Sequence, residues 1–173
     1  MVRETFELDI IIYLPLVIAN LQNDLVNKVT IKNYFDKEEI KKILPHREPM
    51  LLIDEAYLDE KGAAHGFYTV KGDEWFLQGH FPGNPIVPGV IQCEMAGQTC
   101  CVLFAQSMKG KLPLFTGINK VKFRNKVRPG DRIELICTLQ RQVGVFSFVE
   151  GRAYVGSNLC MSGEFSFAIV SEV

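Results

Sequence analysis

The sequence has 173 residues, enough for one domain with a sizeable core and too few for two comfortable ones. It is 47% hydrophobic and 23% charged, and its 19 Lys+Arg are balanced by 20 Asp+Glu, so no bulk positive charge argues for a nucleic-acid partner. The five cysteines (Cys93, Cys100, Cys101, Cys137 and Cys160) are odd in number and form no CxxC pair. That excludes the usual disulfide framework or zinc ribbon and reads as reduced core thiols in a cytoplasmic protein.

The chain opens with an apolar stretch, Leu8 to Leu21, too short and too interrupted to span a bilayer. Arg3 is offset by Glu4, Glu7 and Asp9 and no small-residue cleavage site follows, so a signal peptide is not expected. Residues 1–30 therefore read as an N-terminal extension, and residues 31–173 as the domain.

DKEEIKKIL, residues 36 to 44, predicts a short helix: Asp36 and Glu39 have capping-box spacing and Pro45 stops the run. Met50–Leu58 and Ala64–Val70 predict two strands around the turn-like Glu60-Lys61-Gly62. GHFPGNPIVPG, residues 79 to 89, then packs three glycines and three prolines into one loop, a density that fixes the backbone because each proline locks its φ. From Pro88 to about Ser107 the residues are apolar almost all round, the signature of a buried helix. After Gly110 the period changes to two, predicting strands over Phe115–Phe123, Ile133–Leu139, Val145–Val155 and Leu159–Ile169. One buried helix with meandering strands suggests an antiparallel sheet curled around that helix, an α+β architecture.

Two residues in this frame carry chemistry. His80 lies in the rigid loop, and Glu94 lies on the apolar helix, where a carboxyl group is costly unless protonated, paired or used. Burial favours the neutral form of both, so side by side they offer a proton acceptor and a proton donor near neutral pH. Eliminating water from a 3-hydroxyacyl thioester needs such a pair: a base for the proton next to the carbonyl and an acid for the departing hydroxyl. The free N–H groups of Gly89 and Val90 at the helix start are placed to receive charge on the thioester oxygen.

The run GHFPGNPIVPGVIQCEMAGQ is very similar to the signature of the 3-hydroxyacyl-[acyl carrier protein] dehydratases of bacterial type II fatty acid synthesis. ILPHREPMLLIDE and FTGINKVKFRNKVRPGD resemble two further family segments in the expected order, and the likeness covers roughly residues 36 to 170. It implies a hot-dog fold and a homodimer with tunnel-shaped sites between subunits, and beyond it a trimer of dimers. His80 of one chain then faces Glu94 of the other, the Gly89 N–H meets the thioester carbonyl, and no metal or organic cofactor takes part.

Phe81, Pro88, Met95, Gln98, Leu114 and Phe115 are the expected tunnel residues, with Gln98 either orienting Glu94 or filling the core. Glu at position 94 resembles the plain dehydratase branch rather than the decanoyl-specific dehydratase/isomerase branch. Glu48, Leu114 and the EMAGQ order depart from the family pattern, which usually has an aromatic residue, a tyrosine at some tunnel mouths and EAMAQ. His46 is expected to order the loop after the first helix, and His65 to be a surface or edge residue. Lys120, Lys122, Arg124, Lys126 and Arg128 alternate along a strand and its turn. They read either as a solvated face or as a landing site for acyl carrier protein, whose phosphopantetheine arm carries the acyl group. Two rival functions stay open: a hot-dog thioesterase or enoyl-CoA hydratase, and a non-catalytic acyl-binding subunit. Neither nucleic acid nor membrane is an expected partner.

Overall fold

The computed structural model describes residues 33–108 and 110–171. The expected extension over residues 1–30 lies outside them. Strand β1 (Tyr34–Phe35) leads into helix α1 (Lys37–Ile43), which begins as the capping box predicts. The Asp36 carboxylate accepts from the Glu39 backbone N–H at 2.8 Å, and the Glu39 carboxylate accepts from the Asp36 N–H at 3.0 Å. Two first-turn donors are thereby satisfied. The first predicted strand shortens to β2 (Glu55–Leu58). Leu51, Leu52 and Ile53 are buried but not in the sheet, because the Leu52 N–H is taken by the side chain of Gln98 at 2.8 Å. Strand β3 (Ala64–Thr69) follows.

Helix α2 (Gly89–Val102) is the central element and ends five residues before the predicted boundary near Ser107. The Leu103 N–H turns back to the Cys100 carbonyl, tightening the last turn, and a separate 3-10 turn covers Ala105–Ser107. Pro88 is its N-cap, at the start expected for the apolar run. From Ile91 to Val102 every residue except Glu94 is buried, so the helix lies inside the domain and the apolar residues all round it need no polar face.

Four long strands complete the domain: β4 (Lys111–Phe123), β5 (Arg132–Val143), β6 (Phe146–Val155) and β7 (Asn158–Ser171). Every pairing is antiparallel and the sheet order is β1-β2-β3-β5-β6-β7-β4. This is the expected hot-dog, a sheet wrapped on one helix, with one departure from a simple meander. Strand β4 crosses to the far edge beside β7, and β5 pairs with β3 instead. The helix lies so close to the sheet that a Cβ on Gly66 would stand 2.2 Å from Thr99 Oγ1, so only glycine fits there. All five cysteines are free and buried. Among the described residues no helix is long and apolar enough to cross a membrane.

Candidate active site

The loop before α2 is held from both ends. The His80 N–H donates to the Leu77 carbonyl at 3.1 Å, the Asn84 N–H to Phe81 at 2.8 Å, and the Val87 N–H to Val127 at 2.8 Å. Gly79 and Gly83 take positive φ angles of 81° and 79°, the left-handed region that glycine enters at little cost. Phe81 shares that conformation at 58° despite its side chain. His80 is fixed by a further bond, 2.9 Å from its Nδ1 to the Ile86 carbonyl oxygen. A carbonyl only accepts, so Nδ1 carries the hydrogen and Nε2 of the neutral ring keeps its lone pair.

His80 opens onto a cavity of about 490 Å³ at the start of α2, lined also by Phe81, Pro88, Gly89 and Val90. Gly89 lets that wall close: a Cβ there would lie 2.6 Å from the Phe123 ring. First-turn amides of a helix have no acceptor inside it, so Gly89 and Val90 bring donors without an acceptor among the described residues, and the positive end of the helix dipole, to the imidazole-bearing cavity. Gln92, buried and one turn further on, lines the same space, and its Oε1 has no hydrogen-bond partner among the described residues.

Glu94 does not line that cavity within one protomer. Its side chain, 23% exposed, meets the loop that follows α1. Gln98 Nε2 donates to Glu94 Oε1 at 2.9 Å and to the Met50 carbonyl at 2.7 Å, and His46 Nε2 stands 3.4 Å from the same Oε1. Burial was expected to hold this carboxyl neutral. Instead the His46 contact, aided by Gln98, outweighs burial and keeps it below its ordinary value, favouring the carboxylate.

His46 is thus more than a loop-ordering residue, and its link to Glu94 spans a sequence separation no local pattern reveals. The one available signal was the LPHR segment ahead of an apolar run. Gln98 is fully buried and bonds both Glu94 and the loop, so orienting and packing roles coincide in it.

The other expected site residues scatter. Phe81 and Pro88 line the cavity, whereas Met95 is wholly buried in the core. Phe115 packs its ring where a Gly97 side chain would stand, and Leu114 is half exposed beside it on β4. The basic residues do not form one alternating row. A register shift between Asn119 and Lys122 breaks the period, Lys120 takes a positive φ of 52°, and β4 stops at Phe123. Lys120 pairs with Glu164 at 2.9 Å, and Arg128 donates to Asn84 Oδ1 at 2.8 Å. Arg124 and Lys126 border the His80 cavity, and Lys120 and Lys122 do not. His65, expected at the surface or an edge, lies on the internal strand β3 and keeps 13% of its side chain exposed. It stacks on Tyr57 with centroids 4.5 Å apart, between Glu134 at 2.9 Å and Asp59 at 3.4 Å.

A sheet rolled on one buried helix, with a histidine-bearing cavity at the helix start, defines a protein of the hot-dog class. The family model for ApeI-like proteins, described as ApeI dehydratase, matches residues 57–163. The chain is 45% identical to the 3-hydroxyacyl-[acyl-carrier-protein] dehydratase FabZ of Clostridium beijerinckii over 136 residues, 76% of this chain and 96% of that one. It is 41% identical to the FabZ of Natranaerobius thermophilus over 140 residues, 79% of this chain and 99% of that one. The chain belongs to the 3-hydroxyacyl-[acyl-carrier-protein] dehydratase family. Its fold is shared with the dehydratase heterocomplex ApeI:P of Xenorhabdus doucetiae, with a TM-score of 0.65, 21% identity, and coverage of 75% of this chain and 89% of that one.

Proposed function

We propose that the chain removes water from (3R)-3-hydroxyacyl-[acyl-carrier-protein] to give trans-2-enoyl-[acyl-carrier-protein], with His80 as base and Glu94 as acid. The observation that carries this reading is the 2.9 Å bond from His80 Nδ1 to the Ile86 carbonyl, which leaves Nε2 basic beside the free helix amides. The thioester carbonyl accepts from the Gly89 and Val90 amides, which stabilise charge as it builds on that oxygen. Nε2 takes a proton from the carbon next to the carbonyl, that electron pair becomes the new C=C bond, and the C3–O bond breaks. Glu94 gives its proton to the departing hydroxyl, which leaves as water. Solvent then removes the proton from His80 and restores the one on Glu94. No step calls on a metal or organic cofactor, and among the described residues no group of three or more His, Cys, Asp and Glu side chains is placed to hold a metal.

Within one protomer Glu94 stands outside the His80 cavity, and the family resemblance pairs it with the partner subunit's His80, so a homodimer completes the site. Burial beneath a second protomer adds desolvation, which raises a carboxyl pKa and lets Glu94 take up the proton it delivers. The carrier protein brings its phosphopantetheine-linked acyl chain to the mouth bordered by Arg124 and Lys126. Incubation with 3-hydroxybutyryl carrier protein tests the reading: enoyl thioester is expected, and free thiol without alkene would replace it with a thioesterase.

A further inference from the structure

Two side-chain nitrogens approach Glu94, and both meet the same oxygen. Gln98 Nε2 lies 2.9 Å and His46 Nε2 lies 3.4 Å from Oε1. Gln98 is immobilised by its other two bonds, to the Met50 carbonyl and from the Leu52 N–H. His46 sits in a strapped turn: the Arg47 guanidinium donates to the Leu44 and His46 carbonyls at 2.9 and 2.7 Å, and the Arg47 carbonyl accepts from the Met50 and Leu51 N–H groups. Its Nδ1 is buried and makes no hydrogen bond among the described residues. A buried ring nitrogen without a partner is less costly as a bare lone pair than as an N–H, so the ring hydrogen belongs on Nε2, the nitrogen that stands 3.4 Å from Glu94 Oε1.

From this convergence we infer that His46 is a positioning residue, which with Gln98 holds the Glu94 carboxyl by Oε1 and leaves Oε2 as the atom that carries and delivers the proton. The inference rests on the dehydratase reading. A carboxyl free to rotate would offer its proton from either oxygen, and a misplaced donor loses much of its catalytic value. The charged and titratable groups around the pair are few. Arg47 is turned to backbone carbonyls and Glu48 to Lys37 and Lys41, while the Cys101 thiol on the same helix is pushed far up by burial and then by Glu94. His46 is therefore the cationic or donor group whose removal most changes the carboxyl, and its loss raises the proton affinity of Glu94.

The test compares wild type with His46→Ala and His46→Gln, following dehydration of 3-hydroxybutyryl carrier protein against pH. His46→Ala is expected to lower kcat by about tenfold to a hundredfold with little change in KM. The alkaline limb of kcat, where Glu94 loses its proton, should move to higher pH. His46→Gln, which keeps an N–H donor, should bring both back toward wild type. A uniform loss across pH with no movement of the limb means a merely structural role and overturns the inference.

A second readout needs no change at position 46: the ¹⁵N shift of His46 Nε2 should differ between wild type and Glu94→Gln, and an unchanged shift also overturns it. If wild type forms no enoyl product, the dehydratase reading fails, whatever the ¹⁵N shifts show. If wild type forms it and the limb stays still, only the role of His46 fails.

Discussion

The Nδ1 of His80 lies 2.9 Å from the Ile86 carbonyl oxygen, and this one bond leaves Nε2 as the ring nitrogen with a lone pair for the proposed proton transfer. Substitution of His80 by Ala removes the lone pair and leaves the backbone bonds of the loop in place. Dehydration should fall by about 10² to 10⁴, the usual worth of a positioned general base, with melting temperature and assembly nearly unchanged. Retention of more than a tenth of the wild-type rate would assign the base elsewhere.

Gly89→Ala places a methyl group 2.6 Å from the Phe123 ring. Overpacking costs about 1–3 kcal/mol, and the half-exposed Phe123 can swing aside, so the low end applies. A drop in melting temperature of about 2–4 °C is expected for a protein of this size. Activity should suffer more than stability, because the displaced ring is a wall of the His80 cavity. Thermal melts and kcat/KM measured on one preparation separate the two effects.

His65 makes stability depend on pH. Burial alone would push its pKa down, but the flanking Glu134 and Asp59 carboxylates outweigh burial and raise it. A raised imidazole pKa adds stability that is complete below the unfolded value of about 6.5 and fades as pH rises through the folded one. Wild type should therefore melt well above His65→Gln at pH 5.5, with the gap closing above neutrality. A gap independent of pH would mean the stacking on Tyr57, not the charge, is what matters.

Arg124 and Lys126 border the cavity, while Lys120 is already engaged by Glu164. Reversing both charges, Arg124→Glu with Lys126→Glu, should raise KM for carrier-protein substrates at least several-fold and leave short CoA analogues much less affected. The loss should shrink as salt screens the encounter. Equal effects on both substrates would place carrier docking elsewhere.

Local features were readable in the amino-acid sequence to the extent that their causes are local. The Asp36–Glu39 capping box, the buried helix through Glu94 and the Gly/Pro loop around His80 each depend on residues within a few positions of one another. The passage of β4 to the edge beside β7 is different, because alternation reports which face a residue takes and not which strand it meets. The stretch Met50–Asp54 failed as a strand because a helix side chain, Gln98, competes for its backbone, and hydropathy does not register that competitor. The contact of His46 with Glu94 is illegible for the same reason, since it arises from tertiary packing. The row of five basic residues looked continuous until the bulge at Asn119 and Lys122 broke it.

Gly89 and His80 share one cavity, and Glu94 of the same helix as Gly89 stands outside it, so in the proposed dimer the amides and the imidazole of a site come from one protomer and the carboxyl from the other. The docking of the two protomers then sets the offset between C1 and C3 of the acyl group and is blind to whatever follows. Substrates with short and long tails should thus be offered to the same chemistry at the same pitch, and any preference among them must be imposed further down the chain's path.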